Sequence, residues 1–160
     1  MNQIYKQFTI RDWHPGDRNS AAAVIRQVLA EYGLPWQPES ADRDVIEIEK
    51  YYLDAGGEFW VVETDRIVGT AAYYPVNDLS GVEIRKMYLL PEVRKQGLGR
   101  YLLAQLELAI ANRSYKTIYI ETASILTEAV ALYEQNGYLP MKEVATARCD
   151  RAYYKSLAEH

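Results

Sequence analysis

The sequence predicts an α/β domain, a mixed sheet of about seven strands with helices on both faces. Three observations carry that expectation. Strand-like and helix-like segments follow one another in the order β-α-α-β-β-β-α-β-α-β-β. Residues 58–63 and 67–74 read as a hairpin around Asp65 and Arg66. Residues 97–112 hold the longest helical spacing in the chain, with Leu98, Leu102, Leu103, Leu106 and Ile110 on one face.

Taken in order, residues 8–11 alternate apolar and polar, as a half-buried strand does. Residues 17–32 repeat Ala21, Val24, Ile25, Val28 and Leu29 at helical spacing, and Gly33 stands where a C-cap belongs. Pro35 and Pro38 make residues 34–41 a loop, and residues 42–53 read as a second helix closed by Gly56 and Gly57. A strand over 81–90 ends at Pro91, the helix over 97–112 follows, and residues 117–122 return as strand. Residues 128–136 form a helix capped by Gly137, and strands are expected at 139–144 and 147–154. At 160 residues, with no internal repeat or linker, one domain spanning 1–160 is expected.

Composition narrows the function. Apolar residues make up 49% and charged residues 25%, the balance of a globular protein. No apolar run approaches the ~18 residues of a membrane span, and the first residues lack a signal peptide's apolar core, so neither membrane nor export is expected. One cysteine, Cys149, allows no internal disulfide and no metal site of its own; a cytoplasmic setting and no metal are expected. Net charge is −4, with Lys and Arg scattered apart from Arg94, Lys95 and Arg100, which argues against a nucleic-acid partner. The 14 tyrosines fit a substrate cavity or simply strand residues with one wet end.

The chemistry concentrates between Glu83 and Arg100. Arg94, Gly97 and Gly99 have the spacing R-x-x-G-x-G at a helix start, where the first N–H groups lack partners and the helix dipole is positive. Glycine there lets a phosphate reach the main chain, and a diphosphate is the natural guest. Arg94, Lys95 and Arg100 can add charge-assisted contacts. A Walker loop is excluded because Arg100 and Tyr101 follow Gly99, and a dinucleotide fingerprint lacks its third glycine.

Residues 83–99, EIRKMYLLPEVRKQGLG, resemble the central acetyl-CoA motif of the GNAT superfamily of N-acetyltransferases, and residues 131–138, ALYEQNGY, resemble the same family's later signature. The resemblance runs from Phe8 to about Tyr154. It implies a mostly antiparallel sheet splayed between the fourth and fifth strands, with the pantetheine arm of acetyl-CoA in the gap. By position it assigns Met87, Tyr88 and Leu89 to the arm and Arg94, Lys95, Gln96, Gly97, Leu98, Gly99 and Arg100 to the pyrophosphate. The Met87 N–H would hold the thioester oxygen, where charge develops during attack.

The resemblance also implies two catalytic residues. Glu83 matches the family's general base and, by alternation, should share a strand face with Arg85, Met87 and Leu89; otherwise it is a salt-bridged or solvated carboxylate. Tyr133 matches the general acid that protonates the departing thiolate; otherwise it is a core aromatic. Many relatives carry asparagine seven residues before this tyrosine, where Leu126 stands here. The implied activity is acetyl transfer from acetyl-CoA to a primary amine by direct attack in a ternary complex, with a small-molecule or peptide acceptor and a homodimer by analogy. Two competitors share the fold: a non-catalytic acyl-CoA sensor, and an enzyme acting on charged transfer RNA, which the acidic balance disfavours.

Overall fold

The computed structural model describes residues 1–76, 80–142 and 148–157. Eight strands form one sheet in the order β1-β2-β3-β4-β5-β6-β8-β7. They are β1 (Asn2–Tyr5), β2 (Phe8–Asp12), β3 (Glu58–Glu63), β4 (Ile67–Val76), β5 (Gly81–Leu89), β6 (Thr117–Thr122), β7 (Leu139–Met141) and β8 (Arg151–Ser156). Every pair is antiparallel except β5 with β6. That parallel pair needs a crossover, which α3 (Leu98–Asn112) supplies. The other helices are α1 (Arg18–Glu31), α2 (Arg43–Ile46) and α4 (Thr127–Gln135). No helix among the described residues is long and apolar enough to cross a membrane.

The apolar periodicity of α1 and α3 points into the core as expected. Ala21, Val24, Ile25, Val28 and Leu29 are buried, as are Leu98, Leu102, Leu103, Leu106 and Ile110. In β3 and β4, Phe59 to Val62 and Ile67 to Tyr73 are buried in unbroken succession, so both faces of the central sheet are covered. Gly33 and Gly137 follow α1 and α4 at φ 70° and 86°, in left-handed C-terminal positions.

Three elements differ from the sequence reading. The sheet gains β1, an edge strand whose Ile4 faces solvent and whose Gln3 and Tyr5 are half-buried, Tyr5 stacking on Tyr101 at 4.4 Å between ring centres. The helix expected over 42–53 is broken into α2 and a separate π-helical turn, Glu49–Leu53. The final hairpin is shorter at β7 and starts later at β8; residues 143–147 of the expected strands lie outside the described residues.

Candidate active site

The site grows from one irregularity in β5. Arg85 pairs with Ala72 and Tyr88 with Thr70, so β5 uses three steps where β4 uses two. Lys86 absorbs the extra residue as a β-bulge at φ 53°, and the Thr70 hydroxyl donates to its carbonyl at 2.6 Å. The bulge overturns the expected alternation. Tyr88, rather than Met87, continues the face of Glu83 and Arg85.

Two residues before the bulge β5 already leaves its parallel neighbour. The β5–β6 register runs only over Val82–Ile118, Glu83–Tyr119 and Ile84–Ile120. Past these pairs the two strands splay, as the resemblance implied. A cavity of about 300 Å³ fills the gap, lined by Ile84 to Leu89 on one strand and by Ile120 to Ala123 on the other. Met87 and Leu89 therefore border the space between the two strands. Leu126 and Leu132 give that wall apolar contact where a clamp side chain was absent from the sequence.

One end of the cavity is the loop before α3. Lys95 and Gly97 both adopt left-handed backbone, φ 62° and 82°, at the start of a 15-residue helix, whose first N–H groups have no partner within the helix. Gly97 is fixed by crowding as well: a Cβ there would lie 2.6 Å from the Tyr5 hydroxyl. Lys95, Gly97, Leu98, Gly99 and Arg100 all line the cavity. Gln96 does not. Its carbonyl accepts from the Tyr5 hydroxyl at 3.0 Å and from Lys6 Nζ at 2.6 Å, so the β1–β2 turn holds the loop from outside. Arg94 lines the cavity but is clasped by Glu31 at 2.7 and 2.8 Å and donates Nε to the Leu89 carbonyl at 3.1 Å.

Tyr133 lines the middle of the same cavity at 4% exposure. Burial raises its hydroxyl above the ordinary tyrosine value, and Tyr88 and Cys149 add to the effect. Burial likewise pushes the Tyr88 hydroxyl up to about 12. Glu83 does not line this cavity. Its carboxylate accepts from the Tyr74 hydroxyl at 2.9 Å, and burial raises its pKa while Arg85 and Tyr74 pull it back.

A second cavity of about 900 Å³ adjoins the first, bounded by the loop before α2, the π-helical turn and β4. Leu34, Arg85 and Arg148 line both cavities. Tyr51, Tyr52 and Tyr74 give it aromatic walls. Glu121 in the first cavity was passed over by sequence reasoning; it sits at an ordinary alternating strand position and carries no local signal. Cys149 also lines this cavity. Beneath both cavities, Asp42 pairs with Lys86 and Arg148, a cluster drawn from three distant segments. Among the described residues, no group of three or more His, Cys, Asp or Glu side chains is arranged to hold a metal ion.

The splayed parallel pair, the bulge in β5 and the start of α3 together border one cavity. Comparison with known proteins agrees with the resemblance. Residues 23–138 match the acetyltransferase (GNAT) family. The chain is 36% identical over 144 residues to the uncharacterized N-acetyltransferase YjgM of Escherichia coli (strain K12), covering 86% of each. It is 30% identical over 114 residues to N-acetyltransferase 8F1 of Rattus norvegicus, spanning 66% of this chain and about half, 52%, of that one. Its fold superposes on a GNAT-family acetyltransferase from Staphylococcus aureus Mu50 with TM-score 0.88, at 22% identity, over 94% of this chain and 99% of that one. A phosphinothricin acetyltransferase of the superfamily from Sinorhizobium meliloti, in complex with acetyl-CoA, gives TM-score 0.75 at 17% identity over 94% and 89%. The family match covers most of the chain and the bulged, splayed site lies inside it: the protein belongs to the GNAT family of acetyltransferases.

Proposed function

We propose that the protein moves an acetyl group from acetyl-CoA to a primary amine by direct attack within a ternary complex. The observation that supports the proposal is that the two cavities adjoin and share Leu34, Arg85 and Arg148 in their walls, which places room for an acceptor beside room for the coenzyme. Holding both reactants in line supplies much of the rate by proximity alone.

In this reading the pyrophosphate rests on the N–H groups of Leu98, Gly99 and Arg100, with Lys95 and Arg100 neutralising phosphate charge and Gly97 shaping the turn. Tyr88 and Leu98 wall the arm. The Met87 and Leu89 main chain pairs with it, and the Met87 N–H stabilises the thioester oxygen as charge gathers. The neutral amine attacks the carbonyl carbon, a C–N bond forms and the C–S bond breaks. Glu83 takes the amine's proton through water, since its carboxylate lies behind Tyr74 rather than in the cavity. Tyr133 gives its proton to the departing thiolate, restoring balance.

Initial rates of thiol release, with acetyl-CoA and amine varied together, test the sequence of events. Intersecting reciprocal plots support the ternary complex. Parallel plots, with an acetylated Cys149 trapped in the absence of amine, would replace it with a two-step route. Acetyl-CoA binding without thiol release across a broad amine panel would favour the sensor reading.

A further inference from the structure

The second cavity is bordered by cations of unequal commitment. Three arginines border it: Arg43, Arg85 and Arg148. Two are already partnered by carboxylates. Arg43 donates to Glu47 at 2.9 Å on the surface, and Arg148 makes paired bonds of 2.7 and 2.8 Å to Asp42. Arg85 is different. Its guanidinium carries five N–H donors. Among the described residues it bonds only the Tyr74 hydroxyl at 3.4 Å and the Ala41 carbonyl at 3.5 Å. Asp44 is the one described carboxylate within 4 Å, and its oxygen stays 3.9 Å from Nε. Charge-assisted bonds run about 2.7–2.9 Å, so the strong contacts of Arg85 are unmade.

Asp44 is drawn elsewhere. It accepts a short bond from the Tyr52 hydroxyl and lies 3.5 Å from Lys86 Nζ. Arg85 thus keeps guanidinium donors without a short carboxylate bond where it lines both cavities, two residues before Met87 on β5, although Asp44 and Glu83 lie near enough to favour its charge. Around it, Tyr52 and Tyr74 pack edge to face at 5.8 Å between ring centres, a stiff aromatic wall continued by Tyr51. Resting on the transferase reading above, we infer that the acceptor is a free α-amino acid with an aromatic or aliphatic side chain, its carboxylate held by Arg85 and its side chain laid on the tyrosines. A peptide N-terminus has no carboxylate beside its nitrogen and does not meet this arrangement.

The test compares acceptors that differ only in that carboxylate. Each common amino acid is assayed for thiol release beside its amide, and the aromatic and aliphatic ones also beside their decarboxylated amines, while acetyl-CoA binding is measured separately by calorimetry. At least one apolar or aromatic amino acid should exceed its amide and its decarboxylated amine at least tenfold in kcat/KM. Arg85→Gln should cut that preference at least tenfold, mainly through KM, and Arg85→Lys should restore part of it. The wild-type comparison stands even where a variant folds poorly. If no amino acid exceeds its amide, the inference falls. Thiol release with amides or simple amines would then leave the transferase reading intact, whereas failure to bind acetyl-CoA would remove both.

Discussion

Asp42 and Lys86 form an ion pair sealed from solvent, 2.8 Å from Oδ1 to Nζ, with side chains 0% and 3% exposed. The same carboxylate receives Arg148 and the Gln37 N–H at 2.8 Å. Burial alone would push the Asp42 carboxyl up; the Arg148 hydrogen bonds and Lys86 outweigh it and hold it at about 2. Through this cluster the loop before α2 is tied to the bulge, and both to the segment entering β8.

Asp42→Asn keeps the shape and strands two cations in the interior. We expect a loss of about 3–5 kcal/mol in denaturant unfolding, the usual consequence of breaking a buried pair from one side. Because the folded pKa is depressed, the stability it gives is present above the ordinary carboxylate range and lost as pH falls from about 4 toward 2. Wild type should therefore weaken more steeply than the variant across that window. A variant within 1 kcal/mol of wild type at neutral pH would contradict this role for the pair.

Tyr133→Phe retains the ring and removes the proton. Acetyl-CoA affinity should survive, while turnover falls by roughly 10²–10⁴-fold, as expected for a lost general acid. Single-turnover measurement isolates the chemical step. Unchanged turnover would leave Tyr133 as a packing residue beside Tyr138 and Tyr153.

Glu83 has a raised pKa, so as a base it should impose an acid limb on kcat/KM above the ordinary glutamate value of 4.5. Glu83→Gln should remove that limb and leave a profile that follows the amine's own deprotonation. Its deficit should then be greatest between that limb and the amine's own pKa, and shrink as neutral amine accumulates. Parallel pH profiles, with only a drop in thermal stability, would make Glu83 a structural partner of Tyr74.

Cys149 lines the first cavity, where an acetyl-enzyme route would need it. Direct transfer requires no such nucleophile. Cys149→Ser should keep turnover within about threefold of wild type, since no covalent step is lost. A loss of a hundredfold or more, checked against retained acetyl-CoA binding, would overturn direct transfer.

How far the sequence could be read follows from where its signals are local. The helices α1 and α3 announce themselves because their buried residues recur at one period within one segment. Gly97 and Gly99 are legible because a helix start makes the same demand wherever it occurs. The bulge at Lys86 was not legible: nothing in a lysine codes for φ 53°, which is set by the pairing of β4 with β5 and by Thr70 and Asp42. The Asp42 cluster joins residues 44 and 106 positions apart, beyond any periodicity. The break after α2 lies in a stretch whose apolar spacing suits either one helix or two turns. Strand β1 was missed because Asn2, Gln3, Ile4 and Tyr5 show no apolar–polar alternation in sequence, and its apolar Ile4 is on the exposed face.

The most direct test of the account is a calorimetric titration of acetyl-CoA into wild-type protein and Gly99→Asp. Gly99 is the position to use, because Gly97 lies against Tyr5 whereas a Cβ at Gly99 meets only Leu132 at 3.4 Å and Leu89 at 3.8 Å. The carboxylate would enter the N–H cradle where the pyrophosphate is placed. We expect saturable 1:1 binding to wild type and at least tenfold weaker binding to the folded variant, a difference of about 1.4 kcal/mol or more. Equal affinity in the two folded proteins would contradict the placement of the coenzyme between β5 and β6.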